Sequence, residues 1–408
     1  MIIISDKEKC CGCGACAQSC PVSCISMKQD EEGFLYPEAD PVRCVECERC
    51  TQACPMPEYG DAGRKKREEC LKDTRAFGGF SQDDAIRRES SSGGMFTLFA
   101  ESVFCESGVV YGAGLDPDMK VVHCKAETEE ELAPLRKSKY VQSEIRNTFA
   151  EIRDHLQSGR KVLFVGTACQ TAGLRAFLGG EDPLLITCDF ICHGVPSPLV
   201  FSKYLSWLGK KRGSRVTAFE FRNKRVPWSS SGQQKGTIIR YEDGGEECHI
   251  PAFRDPFMNA FLSDICLRPS CGACPFKGLP GSYSDITIAD FWGAGKAAPD
   301  LCDSLGTSLI LVHSEKGMRL MQKVSEEFRG REVETAAAIR RNPCVLRPAK
   351  AAAENIRKDF FRRLDTSFEL ARRKYMTAGY WAVHRGYRLI EDKLSGKTEG
   401  KAVGEKRK

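Results

Sequence analysis

Cysteine spacing is the strongest constraint in this sequence. The run Cys10-x2-Cys13-x2-Cys16-x3-Cys20-Pro21 recurs as Cys44-x2-Cys47-x2-Cys50-x3-Cys54-Pro55. In such a run three closely spaced thiolates, with the amides between them, converge on one cubane while the fourth reaches across to a second. One [4Fe–4S] cluster therefore falls to Cys10, Cys13, Cys16 and Cys54, and another to Cys44, Cys47, Cys50 and Cys20. Tetrahedral zinc, the competing reading, uses CxxC pairs set apart by a longer gap. Between the runs, Ile25 to Pro37, with Asp30-Glu31-Glu32-Gly33 in the middle, reads as a hairpin closing the pseudo-repeat. Cys11 and Cys24 fall outside the pattern and read as small packing residues.

The whole chain carries 22 cysteines in 408 residues. Its start, Met1 to Asp6, is too short and too soon polar for a secretory signal, so a cytoplasmic protein is expected. Thiols stay reduced there, which argues against a disulfide framework. No apolar run reaches the eighteen or so residues of a membrane span, so no span is expected. The formal charge of +6 counts every cysteine as neutral. A cysteine-ligated cluster carries about −2 when oxidised, so three would bring the balance to roughly zero. No nucleic-acid partner is expected on that account.

Beyond the cysteine runs the pattern changes. Gly108 to Gly114, Lys161 to Val165, Leu184 to Phe190 and Asp285 to Ala289 are apolar runs of strand length, and Gln170 to Leu178 is helix-like. Such alternation predicts a mixed or parallel sheet covered by helices. No GxGxxG opens any helix, so a nicotinamide-binding Rossmann unit is not indicated. The expected architecture is an α+β ferredoxin-like module over residues 1–57, a charged linker over 58–74 and an α/β domain with a mixed sheet over 75–346. A basic helical C-terminal extension follows over 347–408, its tail from Ser395 disordered. The linker's Arg64-Lys65-Lys66-Arg67 reads as solvated, with a basic patch for a partner protein as the sharper alternative. The two main domains are expected to carry separate cores.

Two features of the second part point to ligands. Ser90-Ser91-Ser92-Gly93-Gly94 stands before a helical stretch, where small residues and free amides suit a phosphate. A plain serine cap with flexible glycines is the alternative. Cysteines also punctuate strand ends: Cys169 near a helix N-terminus, where a thiolate is favoured, and Cys192 after the next strand. Cys266, Cys271 and Cys274 come together later. A lone CxxC suits a zinc knuckle or a redox dithiol equally. Cysteines at the carboxyl ends of strands, where α/β sheets keep their ligand sites, also admit a third cluster.

The sequence resembles the β subunits of coenzyme F420-reducing hydrogenases and dehydrogenases, in the branch with a fused N-terminal ferredoxin domain. The resemblance is carried by Ser92-Gly93-Gly94-Met95, Lys137 to Ser143, Gly166-Thr167-Ala168-Cys169-Gln170, Cys192-His193-Gly194-Val195-Pro196, Cys271-Gly272-Ala273-Cys274 and Ser284 to Gly293, in family order. It implies FAD and one further [4Fe–4S] cluster, with the flavin passing hydride to or from a small redox partner. It further implies that Cys169, Cys192, Cys271 and Cys274 ligate this third cluster, with Cys266 as the reserve for Cys169. Gly93, Gly94, Lys139 and Tyr140 would lie near FAD, and Asp290 and Trp292 would border the cluster or flavin unless they are core. Ala168 departs from the proline usual in the family, which loosens a turn but removes no ligand.

The remaining signals are weaker. Phe221-Arg222-Asn223-Lys224 with Trp228 reads as a solvated loop with one packed tryptophan, or as a receptor for an acidic substrate. His193 reads as a structural hydrogen-bonder, or as an acid or donor beside the cluster. Cys70, Cys105, Cys124, Cys188, Cys248, Cys302 and Cys344 follow no spacing rule. The expected function is an iron–sulfur flavoprotein oxidoreductase, passing electrons from two ferredoxin-type clusters through a third to FAD and a small redox substrate. The alternatives are an electron-relay subunit docking on a catalytic partner protein, and a cluster-stabilised binding module. The acceptor stays open among deazaflavin, nicotinamide and sugar-derived compounds.

Overall fold

The computed structural model describes residues 2–56, 74–225, 227–229, 236–277, 283–384 and 386. The expected linker, apart from Thr74, and the tail from Ser395 lie outside the described residues, as does Cys70.

The N-terminal part is built around a hairpin, β1 (Ile25–Gln29) and β2 (Leu35–Ala39), paired antiparallel with Ile25 opposite Ala39. Asp30 holds the turn, its carboxylate accepting from the amides of Glu32 and Phe34 at 3.1 and 2.8 Å. Two four-residue helices, Ala15–Gln18 and Arg49–Gln52, carry the third cysteine of each run.

Eight further strands form one mixed sheet and three form a smaller one. They are β3 (Arg75–Ser81), β4 (Val109–Leu115), β5 (Val121–Ala126), β6 (Val162–Gly166) and β7 (Leu185–Phe190). The smaller sheet holds β8 (Val216–Glu220), β9 (Thr237–Tyr241) and β10 (Glu246–His249), and the set closes with β11 (Ile286–Asp290), β12 (Ser308–Val312) and β13 (Phe328–Val333). The large sheet runs in the order β13-β3-β12-β11-β7-β6-β4-β5. Its centre is parallel, β4 with β6, β6 with β7 and β7 with β11, and its flanks are antiparallel.

Side-chain alternation along the central strands feeds two cores. Leu163, Val165 and Ile186 face the helices Met95–Phe104 and Glu315–Lys323. Val162, Phe164 and Leu185 face the helices Thr148–Gln157 and Ala168–Leu178. A sheet covered on both faces explains why these strands read as unbroken apolar runs.

The second of those cores overturns the expectation of separate domain cores. Cys11, Cys13, Ala15, Ala53 and Met56 of the N-terminal part pack in it with Phe149, Phe164, Ala172 and Leu174. Gln18 extends the union, its side-chain oxygen accepting from the amides of Phe149 and Ala150 at 3.1 and 3.2 Å. That caps a helix whose own cap residue, Asn147, offers no side-chain bond.

The C-terminal segment is likewise part of the body of the protein. Helices Glu354–Thr366 and Phe368–Tyr375 meet at Ser367, whose hydroxyl caps the second. Phe360, Phe361, Phe368 and Tyr375 pack with Tyr204, Phe219 and Phe257 beneath the small sheet. Arg357 forms an ion pair with Glu32 of the hairpin turn and donates to the Leu267 carbonyl at 2.6 Å. Among the described residues no helix is long and apolar enough to cross a membrane.

Phe360 is wholly buried in this aromatic cluster. Phe360→Ala should cost about 3–5 kcal/mol of stability, the usual range for a buried phenylalanine truncated to alanine. A lower thermal midpoint, read by far-UV circular dichroism, checks it; an unchanged midpoint would mean the C-terminal helices are an appendage.

Candidate metal centres

The twelve cysteines expected to hold clusters fall on three cavities, four on each. An inner dicluster cavity of about 310 Å³, solvent mouth included, is lined by Cys10, Cys13, Cys16 and Cys54. An outer one of about 300 Å³ is lined by Cys20, Cys44, Cys47 and Cys50. The third, under the sheet's carboxyl edge, is lined by Cys169, Cys192, Cys271 and Cys274. Among the described residues no three His, Cys, Asp or Glu side chains converge tightly enough to hold a single metal ion.

The chemistry of these walls fits the cationic core of an iron–sulfur cluster. Burial, and then repulsion from Cys10 and Cys54, pushes the Cys16 thiol up to about 12. Neighbouring thiols in so small a space cannot ionise together unless positive charge enters with them. Iron supplies that charge, and thiolate is its natural ligand. Cys24, expected to be a packing residue, stands on the outer wall with its sulfur 3.4 Å from that of Cys20. Its own thiol is pushed up to about 11, first by that contact and then by burial.

Two adjacent parallel strands build the third cavity. β6 ends at Gly166, and Thr167 with Gln170 closes a capping box on the helix Ala168–Leu178, which presents Cys169 in its first turn. β7 ends at Phe190, two residues before Cys192. Cys271 and Cys274 arrive from a distant segment pinned by a bridge between Pro196 and Leu267, where Arg268 donates to the Val195 carbonyl at 2.9 Å. Contact with Cys11, followed by burial, raises the Cys169 thiol, outweighing the helix terminus expected to favour its thiolate. Burial pushes Cys271 and Cys274 up to about 12 and 11.

Cys266 and two other cysteines are sorted by the same geometry. Cys266 is fully buried in the aromatic core with Phe257 and Ile265 and does not line the third cavity. Cys11 lines both the inner dicluster cavity and the third, and its neighbour across the seam is Cys169. Cys344, given no role by its spacing, also lines the third cavity. Its sulfur lies 3.4 Å from His193 Nδ1, while Nε2 of that ring lies 2.5 Å from the buried Asp264 carboxylate. Burial opposes protonation of His193, but Asp264 and Cys344 prevail and raise it to about 9. Lys277 donates to the carbonyls of Cys192 and Cys344 and closes this side.

The residues expected near a flavin form a separate group. Ser138 donates its amide to Ser91 Oγ at 2.9 Å, which brings the Lys139-Tyr140 loop against the glycine turn. Gly94, at φ +96°, starts the helix Met95–Phe104 without a side-chain cap. A Cβ on Gly93 would stand 2.7 Å from the Gly79 carbonyl and 2.9 Å from the Ser308 amide, so the strands require that glycine. Lys139 donates to the Pro134 carbonyl at 2.8 Å, and Tyr140 stacks on Phe261, centroids 4.9 Å apart. Arg222 is buried rather than solvated, and its fork is engaged by Asp290 at 2.6 and 3.1 Å. Trp228 donates to the same carboxylate at 3.0 Å and stacks on Trp292.

Residues 9–57 match a model described as a 4Fe-4S dicluster domain. With two clusters in a domain of that description, this is an iron–sulfur electron-transfer protein. Residues 159–336 match the model for the C terminus of the coenzyme F420 hydrogenase/dehydrogenase beta subunit, and that segment is of this family. Among solved structures, a chain of the F420-reducing [NiFe] hydrogenase complex from Methanosarcina barkeri, in a xenon-derivatised form, is similar at 16% identity. The match covers 80% of this chain and 94% of that one, with a TM-score of 0.43. No curated protein matches the chain.

The cavity walls set up a ligand test. Cys192→Ser or Cys271→Ser should each remove about four iron per chain, the content of one cluster. Cys266→Ser should leave the iron count at the wild-type value. Iron and sulfide assays on anaerobically reconstituted protein decide it, and a loss of iron on replacing Cys266 would reinstate the reserve ligand.

Proposed function

We propose that this chain is an iron–sulfur flavoprotein oxidoreductase. Electrons pass from the two dicluster-domain clusters through a third [4Fe–4S] cluster to FAD and on to a small redox substrate. The observation that carries the reading is the serial arrangement of three thiol-lined cavities. Cys16 and Cys50 pack in one cluster of side chains between the outer and inner cavities. Cys11 and Met56 form a wall common to the inner and third cavities.

In this reading Cys10, Cys13, Cys16 and Cys54 hold the inner cluster, Cys20, Cys44, Cys47 and Cys50 the outer, and Cys169, Cys192, Cys271 and Cys274 the third. Lys139 and Tyr140, with the uncapped helix start at Gly93 and Gly94, would hold FAD. Bound there, FAD would supply the exchange between one-electron flow and hydride transfer. The surrounding residues then have plain tasks. Arg222 and Asp290 neutralise one another in a buried pair, and Trp228 and Trp292 exclude water beside it. Lys224 has its ammonium pushed down to about 7 by burial and donates to the Ser92 carbonyl at 2.9 Å, bracing the glycine turn.

A second reading has its own support. Because Gly93 is required by its packing on β3 and β12, the turn has a sufficient reason for glycine without any flavin. An electron-relay subunit that hands electrons to a catalytic partner protein uses the same three cavities and no substrate site.

Anaerobically reconstituted protein should contain about twelve iron and twelve sulfide per chain together with one FAD, whose band near 450 nm stands over the broad cluster absorbance. Twelve iron without flavin would favour the relay. Eight iron would remove the third cluster from the reading altogether.

A further inference from the structure

Among the described residues Arg268 is the largest fully buried side chain, and no carboxylate among them pairs with it. Its guanidinium donates to the Cys10 carbonyl at 2.7 Å, to Gln142 at 3.0 Å and to the Leu35 carbonyl at 3.0 Å. The remaining contact is Nη2 to Cys10 Sγ at 3.5 Å. Tyr36 lies beneath it, the cation 4.2 Å from the ring centroid. Gly12 leaves the room: a Cβ there would stand 2.6 Å from Nη1. Arg268 also lines the third cavity, three residues before Cys271.

A buried cation costs far more than hydrogen bonds to carbonyls return unless a negative charge stands close by. Among the described residues around it, the groups able to supply that charge are the cluster thiolates on either side.

We propose that Arg268 is an electrostatic bridge between the inner dicluster cluster and the third cluster, raising the reduction potential of both so that electrons run inward from the outer cluster. The inference rests on the three-cluster reading above. A fixed positive charge stabilises the more negative, reduced state of whatever it faces. The wall of the outer cavity carries Glu48 and, among the described residues, no lysine or arginine. The third cavity is walled by Arg268 and Lys277. The charge placement therefore grades the path from the exposed Cys47 loop toward the sheet. Arg268 is a positioning residue in this scheme, acting through the clusters and touching no substrate.

The test is a potentiometric titration of anaerobic holoprotein followed by electron paramagnetic resonance, with Cys47→Ser identifying the outer cluster's signal. Arg268→Met should lower the midpoints of the inner and third clusters by about 59 mV or more, a tenfold change for a one-electron couple, and leave the outer one unmoved. Arg268→Lys, which keeps the charge and loses the fork, should restore both. Equal shifts in all three clusters, no shift in Arg268→Met, or a lysine as disruptive as methionine would each overturn the proposal. Should Arg268→Met lose iron, the wild-type order still decides, because the outer cluster must have the lowest midpoint of the three. Eight iron in wild type would instead defeat the three-cluster reading, and the bridge would fall with it; twelve iron with unmoved midpoints would defeat the bridge alone.

Discussion

The structure depends on the repulsion among thiolates packed along one seam. Buried sulfurs share three small cavities, and those of Cys16, Cys169, Cys271 and Cys274 are driven away from ionisation by burial and by one another. Left to themselves such thiols would stay protonated, and in the proposed function iron supplies the positive charge that lets them ionise together. The fold supplies what the metal alone cannot. Gln18 caps a helix of the α/β part, Arg268 reaches the Cys10 sulfur, and Arg357 grips the hairpin turn. Each of these bonds crosses from one part of the chain to another, and each fixes one cavity relative to the next.

Much of this was legible in the sequence, for reasons specific to each element. The hairpin showed because Asp30 and Gly33 mark a turn between short strands. β4, β6, β7 and β11 showed because strands buried on both faces must be continuously apolar. β12 carries the same signal, although it was not among the strands expected. β13 was hidden because it is an edge strand whose residues Arg329 to Glu332 are exposed. The small sheet was hidden because β8 and β10 alternate with polar residues over a core made by helices far along the chain.

Site residues divide along the same line. Eight dicluster cysteines are readable because their spacing is local and the cluster's size dictates it. Cys11 and Cys344 were not readable as wall residues, since each reaches the third cavity only through contacts between segments far apart in sequence, and Arg268, though close to Cys271 in the chain, gave no sign of its contact with Cys10. Arg222 misled for a related reason. Phe221-Arg222-Asn223-Lys224 looks polar in sequence, yet Asp290, at the end of β11, buries the guanidinium by neutralising it.

The shared core changes what kind of electron carrier this chain can be. A ferredoxin module on a flexible tether must find its acceptor surface for every transfer and lose orientational freedom each time. Here Cys11, Cys13 and Met56 are already packed against Phe149 and Phe164, so that cost was met once, during folding. Fixed spacing also means that charge buried at the seam acts on its neighbours in every molecule, undiluted by solvent or by motion of the module. The same union removes modular independence: a change at Cys13 disturbs packing beside Gly173, whose absent Cβ would stand 2.8 Å from the Cys13 sulfur. The inner cavity is therefore coupled to the α/β core mechanically as well as electrically. The outer cavity has the exposed residues Val45 and Cys47 in its wall, which suits it to electron entry in the proposed function.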